Sequence, residues 1–109
     1  MNLMIGVKNL SPSQFLEGIS DNPDCVLLDV RTETEFKVKR IPGAINIDIL
    51  SPEFHRRIVE MDTNKCYYLY CRSGSRSFHA GLLMAQKGFS KVFNLDCGLA
   101  GWKYSVEKG

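Results

Sequence analysis

The chain of 109 residues is 44% hydrophobic and 24% charged, a globular balance that excludes a disordered or low-complexity polymer. That length provides for one hydrophobic core, so a single domain over residues 1–109 is expected. Fourteen Lys and Arg against twelve Asp and Glu leave a net charge of +2, too weak to argue for nucleic acid or a membrane surface as partner.

The first apolar segment lies near Ile5 to Val7 and leads to Leu10-Ser11-Pro12-Ser13-Gln14. There Ser11 is predicted to cap a helix, Pro12 to be its first residue and Gln14 to close a capping box. Phe15, Leu16 and Ile19 supply the apolar stripe of that helix. Asn22-Pro23 turns the chain into Cys25-Val26-Leu27-Leu28-Asp29-Val30, a run typical of a strand covered on both faces. Thr32 to Glu35 reads as a polar, acidic turn, Ile45 to Ile47 as a short strand, and Ser51-Pro52-Glu53 as a helix start.

Cys66-Tyr67-Tyr68-Leu69-Tyr70 is the next buried-strand run, and it ends directly in Cys71-Arg72-Ser73-Gly74-Ser75-Arg76-Ser77. A helix is predicted after it, with Phe78, Leu82 and Ala85 on one stripe and Leu83 adjoining. Gly88 stands at the left-handed C-terminal position with Phe89 placed to close it, and Lys91 to Leu95 reads as a further strand. Strand, loop, helix and strand in that order predict a right-handed βαβ unit, hence an α/β fold with a parallel sheet and helices on both faces. Ligands bind such sheets beyond the C-terminal ends of the strands, where Cys71 falls.

The opening stretch MNLMIGVKNL lacks a basic run followed by a long apolar one, and no apolar stretch reaches membrane-spanning length. A cytoplasmic location with reduced thiols is therefore the expectation for Cys25, Cys66, Cys71 and Cys97. No Cys-x-x-Cys pair occurs and His55 and His79 lie apart from any cysteine pair, so neither a metal site nor a cofactor is expected.

Cys71 differs from the other thiols in the segment on its C-terminal side. A short polar turn opening a helix lets successive backbone N–H groups converge on one point, and the helix N-terminus adds partial positive charge there. Arg72 and Arg76 add formal charge. Together these favour thiolate over thiol at Cys71, and the same donors, Arg72, Ser73, Gly74, Ser75 and Arg76, would bind an oxyanion or a charged sulfur product. The bland alternative, a small buried residue ending a strand, leaves two arginines, three serines and a glycine within six residues unexplained. Two chemistries share such a loop. Cysteine phosphatases use Cys-x5-Arg, whereas Arg76 comes after Cys71 as Cys-x4-Arg, one residue short, which favours sulfur over phosphate.

Four segments carry a likeness that covers nearly the whole chain. They are Leu27-Leu28-Asp29-Val30-Arg31 with Glu35-Phe36; Ile41-Pro42-Gly43-Ala44-Ile45-Asn46-Ile47; Cys71 to Ser77; and Val92-Phe93-Asn94-Leu95 through Gly98 to Gly101-Trp102. In this order and spacing the chain resembles the single-domain rhodanese family. The resemblance implies a rhodanese-like parallel sheet of about five strands. It also implies a thiosulfate-sulfurtransferase-like reaction in which Cys71 takes sulfane sulfur from a small anionic donor as a persulfide. A thiol or protein cysteine then accepts the sulfur, with no cofactor. By the family pattern the Arg72 to Arg76 amides form the cradle, Arg72 or Arg76 attracts the donor, and Asp29 and Arg31 support the loop structurally.

Two departures stand out. Lys39-Arg40 replaces a Gly-His frequent in the family, and reads first as a solvated basic turn, second as a source of substrate attraction. Cys97-Gly98 replaces Gly-Gly, so Cys97 reads first as a small residue in a turn, second as a resolving thiol. Cys25 and Cys66 read as core thiols, Tyr67, Tyr68 and Tyr70 as β-formers, and Trp102 as either a cover for the loop or a core anchor. The rival functions are a non-catalytic rhodanese-like binding module, which would commonly lack the loop cysteine, and a phosphatase or arsenate reductase, disfavoured by the short loop. A monomer or weak homodimer is expected.

Overall fold

The structure is a computed structural model that describes residues 6–109, so the Ile5 end of the first expected strand lies outside the described residues. Strand β1 runs Val7–Leu10 and helix α1 Pro12–Asp21. The Ser11 hydroxyl accepts from the Gln14 N–H at 3.3 Å while Gln14 Oε1 accepts from the Ser11 N–H at 2.9 Å, the reciprocal box expected from the sequence. β2 is Val26–Asp29, one residue shorter at each end than its apolar run.

Thr32 to Glu35 is not a turn. It is the cap and first turn of α2, Glu33–Val38: the Glu35 N–H donates to Thr32 Oγ1 at 3.1 Å and the Thr32 N–H to Glu35 Oε1 at 3.0 Å. The polar composition that suggested a turn is the capping chemistry of a short helix. β3, Lys39–Arg40, pairs antiparallel with β7, Glu107–Lys108, so the basic pair lies in a ribbon rather than an open turn. β4 is Ile45–Asn46. The helix expected at Ser51 starts three residues later, α3 being Phe54–Ile58, because the Ser51 hydroxyl takes the Glu53 N–H into a tight turn first.

β5, Tyr67–Tyr70, is followed by α4, Ser75–Gln86, and β6, Val92–Leu95. α4 closes as anticipated: the Phe89 N–H reaches the Met84 carbonyl at 3.2 Å and the Gly88 N–H that of Ala85 at 3.1 Å. Its buried face, however, is Ser77, Ala80, Gly81 and Met84, with Phe78, Leu82 and Leu83 only half-buried beside it. Close approach decides this: a Cβ on Gly81 would stand 2.9 Å from Val7 Cγ2, so only small residues fit where α4 lies on the sheet.

The strand order is β1-β6-β5-β2-β4, all parallel, which places β5 at the centre. Alternation along the strands divides the core in two. Leu28, Val30, Leu69, Cys71 and Val92 face α3 and α4, whereas Leu27, Tyr68, Tyr70 and Leu95 face Phe15 of α1 and the C-terminal segment through Leu99 and Trp102. Trp102 packs edge-on against Phe15 at 5.9 Å, which makes it a core anchor on the α1 side. All four β5 residues are buried, consistent with their β-forming character, and truncating Tyr67 or Phe15 to Ala would cost about 3–5 kcal/mol. Among the described residues no helix is long and apolar enough to cross a membrane.

Candidate active site

Cys71 comes directly after the last residue of β5, and only Arg72, Ser73 and Gly74 separate it from the first residue of α4. Its side chain is fully buried beneath that loop. Two backbone amides point at the sulfur: Gly74 N–H at 3.1 Å and Ser77 N–H at 3.4 Å, joined by the Ser77 hydroxyl at 3.3 Å. Gly74 makes the turn at φ +99°, and a Cβ there would collide with the Asp96 carbonyl, so no other residue serves.

Burial pushes the Cys71 thiol up, but the hydroxyl and amide of Ser77 and the amides of Ser73 and Gly74 outweigh it, and the net shift is downward. The Ser77 hydroxyl also lies 3.2 Å from the Gly74 carbonyl, and it has one proton for the two acceptors. A neutral thiol leaves that proton to the carbonyl; a thiolate draws it to sulfur. The site therefore carries a donor that engages when charge develops.

The loop is held from two sides. Asn94 of β6 donates from Nδ2 to the Gly74 carbonyl at 3.1 Å and to Asn9 Oδ1 at 3.0 Å, which ties the turn at Gly74 to β6 and β1. Asn94 Oδ1 is itself buried without a partner among the described residues. Beyond β6, the Leu99 and Ala100 N–H groups strap the carbonyls of Cys71 and Arg72 at 2.8 and 2.9 Å.

Arg76 forms a two-pronged ion pair with Glu35, Nη1 to Oε1 at 3.0 Å and Nη2 to Oε2 at 3.2 Å. The guanidinium pulls the Glu35 carboxyl down to about 2, and Glu35 in turn holds Arg76 protonated above its ordinary value. Of the two arginines in the loop segment, Arg76 is thus engaged in tying α4 to α2, and Arg72 is exposed. Arg72 lines a cleft of about 490 Å³ with Lys39, Glu35, Val38, Leu99 and Ala100. The basic pair divides accordingly: Lys39 lines this cleft, while Arg40 lies over the Phe36 ring at 5.1 Å and pairs with Glu107 at 3.4 Å.

Asp29 and Arg31 make a buried ion pair at 2.6 Å, and Arg31 Nη2 also donates to the Lys39 carbonyl at 2.6 Å. Their hydrogen bonds organise residues 39–41, where Tyr70 Oη accepts from the Ile41 N–H at 3.0 Å, rather than reaching residues 72–76. Cys97 packs with the α1-side cluster, whereas Cys71 belongs to the α4-side cluster. Ser73 and Ser75 are exposed on the loop. His55 and His79 are exposed and line a second cleft beside Arg76. Ser77 as a sulfur ligand, Glu35 as the partner of Arg76 and Asn94 as a loop support were not singled out from sequence. Of the three, only Glu35 had a local signal, the Thr32-x-x-Glu35 spacing.

A buried cysteine at the end of a central parallel strand, ringed by amide donors at a helix start, defines a class of α/β domain built around a thiolate. The chain belongs to the rhodanese-like family: the family model for the rhodanese-like domain matches residues 11–105. It is 31% identical over 97 residues to a sulfurtransferase of Allochromatium vinosum, covering 88% of each chain. It is 33% identical over 105 residues to a tRNA uridine(34) hydroxylase of Cytophaga hutchinsonii, covering 94% of this chain but 33% of that relative. The chain therefore spans about a third of the length of that hydroxylase. Among solved structures it is similar to a rhodanese-related protein of Thermoplasma volcanium, with a TM-score of 0.78 at 26% identity over 92% of this chain and 97% of the other.

Proposed function

We propose that this domain acts within the sulfurtransferase activity of its family by carrying sulfane sulfur on Cys71 from a small anionic donor to a thiol acceptor. The observation that carries the reading is the convergence of the Gly74 amide, the Ser77 amide and the Ser77 hydroxyl on Cys71 Sγ at 3.1–3.4 Å. The Cys71 thiolate attacks the outer sulfur of a donor such as thiosulfate, the S–S bond of the donor breaks, and sulfite leaves with the bonding pair. The terminal sulfur of the resulting Cys71–S–S⁻ keeps the negative charge at the mouth of the same donor set. An acceptor thiolate then attacks that sulfur and Cys71 returns as thiolate, so no external oxidant is needed. Arg72 and Lys39 supply the positive charge that draws an anionic donor to the cleft. Arg76, engaged by Glu35, serves by holding the loop.

The hydroxylase relatives are chains about three times as long, and their activity is not carried over to this domain. The test is intact mass after exposure to thiosulfate or polysulfide. One added sulfur atom, removed by dithiothreitol or cyanide and never seen in Cys71→Ser, is the expected result. Failure to take up sulfur from any donor would leave a non-catalytic binding module as the better reading.

A further inference from the structure

At the opposite end of the sheet, Cys25 and Cys66 stand directly before β2 and β5. Those two strands pair in parallel with Val26 opposite Tyr67, and the Val26 N–H donates to the Cys66 carbonyl at 2.9 Å, so the register runs back onto the two cysteines. Alternation puts both thiols on the side of Leu27 and Tyr68, and both pack against that one cluster. Both are half-buried, and both line one pocket of about 420 Å³ beside Asp21, Asp24 and Lys65. Neighbouring strands lie about 4.8 Å apart, and a disulfide spans Cα separations of about 4.4–6.8 Å. Two thiols on one face at one register position therefore fall within the Cα range that a disulfide spans. The sulfur-transfer reaction uses neither of them.

We propose that Cys25 and Cys66 form a dithiol modification site that closes to an intrachain disulfide by exchange with a low-molecular-weight disulfide. The Cys25 thiolate attacks one sulfur of glutathione disulfide and displaces one glutathione thiolate, leaving a mixed disulfide. The Cys66 thiolate attacks the Cys25 sulfur and displaces the second glutathione. Two protein thiols are oxidised, one small disulfide is reduced to two thiols, and the protons released by the cysteines go to the departing thiolates. Burial and then the charge of Cys66 push the Cys25 thiol up against a smaller pull from a backbone hydrogen bond, and the charge of Asp24 adds the least. Closure is accordingly slow at neutral pH and quickens as pH rises. The closed form links the central strand β5 to β2, the two strands whose other ends carry Cys71 and Asp29.

The full chain and its Cys71→Ser variant are incubated with glutathione disulfide at about pH 8.5, near the ordinary thiol value. Free thiols are then alkylated and the digest is analysed without reductant. The expected product is a Cys25–Cys66 cross-linked peptide, with no glutathione on either residue and a thermal midpoint raised by roughly 5–15 °C. Dithiothreitol reverses both changes. Cys66→Ser should instead retain glutathione on Cys25 and show no rise in midpoint. Recovery of Cys25 and Cys66 as alkylated thiols, as two separate glutathione adducts, or paired with Cys97 or with a second chain would overturn the proposal. The result is the same with or without Cys71, so it stands or falls separately from the sulfur-transfer reading.

Discussion

Strand β5 has a cysteine at each end, Cys66 just before Tyr67 and Cys71 just after Tyr70, and the two ends of the sheet treat a thiol in opposite ways. At the C-terminal end, burial is outweighed by Ser77 and the loop amides, and the Cys71 thiol shifts down. At the N-terminal end, burial and a neighbouring cysteine combine, and the Cys25 thiol of the adjacent strand shifts up. Burial alone therefore does not make a nucleophile. In a parallel sheet the C-terminal strand ends face the start of the next helix, where N–H groups are free to point at sulfur. The N-terminal ends of β2 and β5 instead put two thiols side by side.

The contrast should break most completely at Ser77. Ser77→Ala removes the one donor that can turn from the Gly74 carbonyl to the sulfur. Sulfur-transfer kcat/KM should fall about tenfold or more, short of the ~10²–10³ lost with a principal oxyanion donor, because two amides remain. The pH midpoint for alkylation of Cys71 should move up toward that of Cys25. An unchanged midpoint would mean that the amides alone set the thiolate.

Asn94→Asp comes next. It replaces the donor to the Gly74 carbonyl with an acceptor in a buried position, at a cost of about 1–3 kcal/mol by urea unfolding. Cys71 alkylation should slow as the turn at Gly74 loses its tie to β6, while alkylation of Cys25 stays as in the parent chain.

Glu35→Gln removes the charge partner of Arg76 and should cost about 1 kcal/mol at neutral pH, where a half-exposed pair is partly screened by solvent. The sign comes from the carboxyl being pulled from 4.5 down to about 2 in the folded chain. Stability from Glu35 is fully present above about 4.5 and is lost as pH falls toward 2, so parent and variant should converge across that window in acid unfolding. The smallest effect belongs to Cys66→Ser, which should leave the rate of Cys71 alkylation unchanged within error. A clear change there would show that the two ends of β5 are coupled.

Much of this was legible in the chain itself. The continuous apolar run Tyr67 to Tyr70 announced a strand covered on both faces, and Ser11-Pro12-x-Gln14 announced a capped helix, because both signals act over a few residues. The segment Cys71 to Ser77 declared its own importance for the same reason: its amides and its cysteine are close in sequence. Short polar segments were harder to read. Thr32 to Glu35 has the composition of a turn and the spacing of a capping box, and only the packed structure chose between them.

The sequence by itself determined the parallel α/β class, the family and the position of Cys71 at a strand end, since each rests on local pattern and order along the chain. Tertiary structure decided what touches that loop. Glu35 reaches Arg76 across 41 residues and Asn94 reaches Gly74 across 20, contacts that no local period encodes. It decided equally that Cys97 and Cys71 join different core clusters, and that Cys25 and Cys66 share a register position. Pairing between distant strands is set by how the whole core closes, and at both ends of β5 that closure determines the chemistry of the thiol.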